Sequence, residues 1–181
     1  MMRFRFGVMA LVLALAGCGG PQVVAVQGTG AQPAIEQKSL QIVFSGKTST
    51  GWTKHERSAV QTKPAATEQE QQAASVRCKE IGNGIVQHLR PMTRAQLAPY
   101  LSASERDYRN VLTVEINRIM ADTDGSADIV VTFSYGARGN EKPGWSRIVH
   151  IQASRFATGE SVARELADAM LAQLKASALV Q

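Results

Sequence analysis

The stretch Val111-Leu112-Thr113-Val114-Glu115-Ile116-Asn117-Arg118-Ile119, followed after Asp124-Gly125 by Asp128-Ile129-Val130-Val131-Thr132-Phe133-Ser134-Tyr135, decides the fold. In its first part Leu112, Val114 and Ile116 point one way, with Thr113, Glu115 and Asn117 opposite. In its second part Ile129, Val131, Phe133 and Tyr135 share a face. Alternation with a period of two marks a half-buried strand, and Asp-Gly between two such runs is a hairpin signal. Downstream, Gly136 to Gly144 is a polar, glycine-rich link, and Trp145 to Gln152 reads as a third strand with Val149 and Ile151 inward and His150 outward. Then the period changes. Val162, Ala163, Leu166, Ala167, Met170, Leu171 and Leu174 form one apolar stripe at helical spacing across Glu160 to Ser177. Thr158 or Ser161 caps its start, and Glu160 with Arg164 makes an i,i+4 pair in the favourable order.

Upstream of the hairpin the pattern is also helical. From about Thr67, Ala74, Cys78, Ile81, Ile85 and Leu89 recur every three or four residues, and Thr67 with Glu70 fits a capping box. Gly82 and Gly84 weaken the run by up to about 1 kcal/mol each, so a break near Ile81 is expected. Pro91 is expected to stop the helix, with Thr93 and Gln96 opening a short second one that Pro99 limits. Further back, Leu40, Ile42 and Phe44 alternate in a strand over Leu40 to Ser45. Gly46 to Pro64, rich in Lys, Thr and Ser, reads as an exposed loop.

The order is strand, helix, three strands, helix. It predicts an α+β two-layer sandwich: a mostly antiparallel sheet of about four strands, with two main helices, one of them the C-terminal amphipathic helix, on one face. Residues 39–181 suffice for one core and not two. Residues 18–38 read as a flexible tether, because Gly19, Gly20, Pro21, Gly28, Gly30 and Pro33 break regular structure. Such a segment spans about 25 Å.

Motifs for chemistry are sparse. Gly46-Lys47-Thr48 has the end of a phosphate loop, but Gln41 stands where that loop needs its first glycine, so no nucleotide site is expected. Asp122, Asp124 and Asp128 cluster near Gly125 and are the weak candidates for a metal ion, with calcium the fitting cation. Asx residues equally stabilise a tight turn. His55, His88 and His150 have no ligand spacing. No Gly-x-Ser-x-Gly elbow is present. No catalytic residue, cofactor or metal is therefore expected. The candidate binding surface is basic and aromatic: Trp52, Lys54 and Arg57 in the first long loop, flanked by Lys47, His55 and Lys63, and Arg138, Lys142, Trp145 and Arg147 around the last. Trp and Arg are enriched at binding hot spots, and aromatics among cations suit anionic glycans or protein partners.

The N-terminus carries the sharpest signal. Arg3 and Arg5 precede an uncharged run from Gly7 to Gly17, too short for a bilayer span, which needs about 20 apolar residues. The run closes on Leu15-Ala16-Gly17-Cys18, which resembles the lipobox of bacterial lipoproteins. That resemblance implies a signal peptide over residues 1–17, cleavage between Gly17 and Cys18, and lipid on Cys18. One acyl chain anchors marginally and more chains anchor firmly, at about 0.8 kcal/mol per buried CH₂. Gly19, in place of aspartate, implies the outer membrane, with the domain facing the periplasm. From Val111 to Val180 the layout also resembles that of small proteobacterial outer-membrane lipoproteins. These include the lipopolysaccharide-assembly lipoprotein that plugs an outer-membrane barrel and lipoproteins similar to the TolB N-terminal domain. The likeness is of layout and carries no site residue over.

The precursor is +5; without residues 1–17 it keeps 18 basic and 15 acidic residues. That modest charge falls short of a nucleic-acid footprint. With Cys18 acylated, Cys78 is left alone and reads as a small buried hydrophobe. The expectation is a lipid-anchored, non-enzymatic envelope protein that binds an envelope protein or an anionic glycan. The alternatives are an envelope hydrolase acting on glycan or peptide, and a small-ligand or stress-sensing module.

Overall fold

A computed structural model describes residues 20–30, 32–45, 49–53, 66–104, 106–140 and 142–181. The long alternating stretch forms its centre. β4 (Asn110–Asp122) pairs antiparallel with β5 (Ala127–Ala137), and β5 with β6 (Trp145–Ala153). β2 (Leu40–Ser45) and β3 (Ser49–Thr53) both pair parallel with β4, at Asn110–Glu115 and Arg118–Asp122 in turn. β1 (Gln22–Thr29) pairs antiparallel with β6 at the opposite edge. The result is a six-stranded open sheet in the order β1-β6-β5-β4-β2, with β3 beside β2 along β4. One face is polar and half-exposed. The other buries Leu112, Val114, Ile129, Val131, Phe133, Val149 and Ile151 under α1 (Glu68–Gln96) and α2 (Gly159–Ala176). The α+β expectation holds, with a sheet larger and more mixed than the four strands the sequence indicated.

Both added strands correct earlier readings. Residues 18–38 are not a continuous tether, since β1 lies inside them. A bulge hides it: the register shifts between Val23 and Ala25, so Val23 faces Ile151 and Val26 faces Val149. The two core-side valines are therefore three residues apart, which defeats a period-two reading. Ile35 is also buried, and its N–H donates to the Leu179 carbonyl at 2.8 Å. β3 corrects the loop reading of Gly46 to Pro64. Its five residues carry little alternation, but β4 outruns β2 and offers an unpaired edge that β3 completes. The P-loop-like Gly46-Lys47-Thr48 lies outside the described residues.

α1 begins as the sequence indicates, with Thr67 and Glu70 exchanging capping bonds at 2.8 and 3.2 Å. It then runs unbroken for 29 residues, through both glycines and through Pro91, where a stop was expected. The missing N–H of Pro91 orphans the Gln87 carbonyl, but both residues are exposed, which leaves that carbonyl open to solvent. Thr93 is not the cap of a new helix; its hydroxyl donates back to the Leu89 carbonyl at 2.9 Å. α2 opens on the Thr158–Ser161 capping pair.

The glycines of α1 have different tasks. A Cβ on Gly84 would lie 2.6 Å from the Gly159 Cα at the start of α2. This is a backbone-to-backbone crossing that no larger residue permits. Further on, Gln96 Nε2 donates to Asp168 Oδ1 at 2.7 Å, so the second half of α1 runs beside α2 in the same direction. A Cβ on Gly82 would meet only the Ile119 Cδ1, at 3.3 Å. Gly84→Ala is expected to lower stability by about 1–3 kcal/mol through overpacking. Gly82→Ala is expected to be neutral or to gain up to about 1 kcal/mol of helix propensity. Parallel thermal melts check this; equal melting temperatures for the two variants would contradict the crossing.

Candidate functional site

The strands fix two distinct ends of the sheet. At one end β1 starts, β6 stops and the β4–β5 turn lies; at the other β4 starts, β5 stops and β6 begins. At about 3.3 Å per residue, the 13 residues of β4 separate these ends by roughly 40 Å.

The far end gathers cations. The Arg138 N–H donates to the Arg109 carbonyl at 2.7 Å, closing the start of β4 against the end of β5. The Arg138 guanidinium donates to the Arg106 carbonyl at 2.9 Å and lies 4.5 Å from the centroid of the Tyr108 ring. Arg109 pairs with Glu36 at 3.3 Å, both side chains largely exposed, a contact that adds little to stability. Lys142 and Lys38 are exposed nearby, Lys38 preceding Ser39, whose carbonyl accepts from the Arg109 and Asn110 N–H groups. Asp107 and Glu36 are the acidic members; Glu141 lies outside the described residues. Of the sequence candidates, then, Arg138 and Lys142 lie at this same end of the sheet. Arg106, Tyr108 and Arg109 join them. The sequence signal for these was the run Arg106-Asp107-Tyr108-Arg109 immediately before the first strand of the hairpin.

Trp145 and Arg147 are engaged by the fold itself. They point to the helix-covered side of β6, and Trp145 is fully buried. Its Nε1 donates to the Ser177 hydroxyl at 2.9 Å. Arg147 lies 5.0 Å from the indole centroid and donates to the same hydroxyl at 3.2 Å and to the Thr29 carbonyl at 3.0 Å. Burial pulls its pKa below the ordinary arginine value. The aromatic-basic alternation there is internal bracing between β6, β1 and the end of α2. Trp52 sits in β3 opposite Ala121. Lys54 and Arg57, with Lys47, His55 and Lys63, lie outside the described residues, as do Gly17 and Cys18.

At the near end the acidic turn is occupied by its own backbone. Asp122 Oδ1 accepts from the Thr123 N–H at 2.6 Å, and Asp124 Oδ1 accepts from the Ser126 N–H at 2.8 Å and its hydroxyl at 2.6 Å. Asp128 pairs with Arg118 at 2.5 Å. Among the described residues no group of three His, Cys, Asp or Glu side chains is placed to hold a metal. Arg77 on α1 binds this end together: its guanidinium donates to the carbonyls of Gly125, Ser154 and Ala157. A hollow of about 470 Å³ beside it is lined by Arg77, Glu80, Asp122, Asp124 and Arg155.

A second hollow, of about 270 Å³, lies where α1 meets α2 and is lined by Met92, Ala95, Gln96, Arg164 and Ala167. Gln96 Oε1 is buried there with no hydrogen-bond partner among the described residues. On α2, burial and then the Asp168 charge raise the pKa of Glu165. His88 lies on α1 and His150 on the polar face of β6, so helices and sheet keep them apart. Cys78 is buried, and its thiol donates to the Ile119 carbonyl at 3.1 Å.

No protein-family model matches the chain, and no curated protein matches it. Among solved structures, a dodecameric PelC variant from Paraburkholderia phytofirmans is 16% identical, with a TM-score of 0.46, over 87% of this chain and 98% of that one. A second PelC dodecamer from the same organism is 15% identical, with a TM-score of 0.42 over the same shares. An uncharacterised protein is 16% identical, with a TM-score of 0.35, over 83% and 97%. Overlap at this level transfers no residue role to this chain. Among the described residues no helix is long and apolar enough to cross a membrane.

Proposed function

We propose that the chain is a lipid-anchored envelope protein of the outer membrane that holds an anionic partner and performs no reaction on it. The observation that carries this reading is the polarity of the molecule. The chain reaches β1 only four residues after Cys18, at the near end of the sheet, while Arg106, Tyr108, Arg109, Arg138 and Lys142 collect at the far end, roughly 40 Å away. A domain acylated at Cys18 would present this basic rim away from the bilayer. Guanidinium groups pair with carboxylates in bidentate fashion, and an aromatic ring among them offers a stacking surface for sugar rings. The partner is accordingly an anionic polysaccharide or the acidic face of an envelope protein.

Among the described residues the Arg106 and Lys142 side chains donate no hydrogen bond to the fold around them, so they can be reversed without dismantling it. The double variant Arg106→Glu, Lys142→Glu is expected to lose retention on immobilised alginate at low salt by at least about tenfold, since exposed charges act within a Debye length of about 10 Å at 0.1 M. Unchanged retention sinks the polysaccharide reading. Loss of crosslinking to one dominant envelope protein in the same variant would instead identify the partner as protein. Fractionation of a Cys18→Ser chain tests the anchor: it is expected to leave the membrane pellet.

A further inference from the structure

We propose that the loop between β6 and α2 is a second membrane contact, in which the Phe156 ring enters the interfacial layer of the bilayer beside the acylated N-terminus. This rests on the anchorage at Cys18 proposed above. Phe156 is 73% exposed, more than any other large apolar side chain described. The loop that carries it is held firmly. Arg77 donates to the carbonyls on both sides, Ser154 and Ala157; the Phe156 N–H donates to the Ser154 hydroxyl at 3.3 Å; and the Ala157 N–H donates to the Ser154 carbonyl at 3.0 Å. The ring is therefore presented outward by a fixed loop. Leaving such a side chain in water forgoes the gain of burying it.

The chain itself says what covers it. β1 begins at Gln22 opposite Gln152, and β6 runs only one residue further before the loop. Cys18 is four residues before Gln22, and Phe156 four residues after Gln152; at 3.3–3.6 Å per residue each segment reaches at most about 14 Å. The anchor and the ring thus leave the same end of the sheet, and Val24, bulged from the ladder and 51% exposed, is two residues into β1. The Arg155 guanidinium lies 4.7 Å from the Phe156 ring centroid. An aromatic body with a cation above it suits the boundary where acyl chains meet phosphates, about 5–10 Å into the headgroup region. Asp124 and Glu80 also lie at this end, so apolar insertion drives the contact and charge attraction does not.

The full chain, acylated in a bacterial host, is reconstituted into phosphatidylethanolamine–phosphatidylglycerol vesicles carrying bromine near the headgroup end of the acyl chains. Phe156→Cys in a Cys78→Ala background is labelled with a small environment-sensitive fluorophore; Val86→Cys, at an α1 position 69% exposed, is the reference. Quenching at position 156 is expected to exceed that at 86 several-fold and to survive high salt. Equal quenching at the two positions overturns the proposal, whether or not the chain is anchored. A Cys18→Ser chain that stays on the vesicles overturns the anchorage alone, and preferential quenching at 156 would then support the loop contact by itself.

Discussion

Trp145→Ala is expected to cost about 3–5 kcal/mol, as for a large aromatic removed from a packed core. Trp145 is fully buried on β6, opposite Tyr135 of β5, and reaches Ser177 at the end of α2. Truncation leaves a void under the helix and removes the platform beneath Arg147. At about 2–4 °C per kcal/mol for a chain of this size, the melting temperature should fall by roughly 10 °C. Ser177→Ala should cost less, about 1–3 kcal/mol, because it strands two donors, Trp145 Nε1 and Arg147 Nη2, without opening a cavity. The double variant should fall short of the sum, since both changes break the same contact. A Trp145→Ala protein that melts within a degree or two of wild type would return this residue to the surface.

Arg77→Met is expected to cost about 2–4 kcal/mol. Methionine keeps the apolar stem and deletes the donors, leaving the Gly125, Ser154 and Ala157 carbonyls without their guanidinium partner. Arg77→Lys should rescue little, because one ammonium cannot span three acceptors in a fork. Urea denaturation gives the size of the loss, and amide exchange locates it: protection should drop first in the β4–β5 turn and the β6–α2 loop. A loss under about 0.5 kcal/mol would mean that water replaces the clamp.

The centre of the fold was readable because its alternation is regular. Leu112, Val114, Ile116 and Ile129 to Tyr135 announce their face residue by residue, and the α2 stripe does the same at helical spacing. What escaped depends on partners distant in the chain. The β1 bulge displaces its apolar positions by one; β3 exists because β4 is long; Gly84 is tolerated because Gly159 faces it. The candidate surface divides on the same ground. Trp145 and Arg147 look like a binding pair in sequence, yet the pleat turns both toward α2, while Arg138 and Lys142 extend past the strand ends and are joined by Arg106 and Arg109. Spacing gives a side chain's face within an element; it cannot say which layer that element abuts.

The strand that follows Cys18 in sequence is also an edge strand, and its hydrogen bonds to β6 run across the strand direction. If the chain is anchored at Cys18 and holds its partner at the basic rim, as proposed, a tug between the two is directed along β1. The rungs from Gln22 to Thr29 then share the load in shear and must fail together, whereas a sideways pull would unzip them singly. Under the proposed anchorage the β1–β6 ladder thus acts as a tie, strongest in tension along the strand axis.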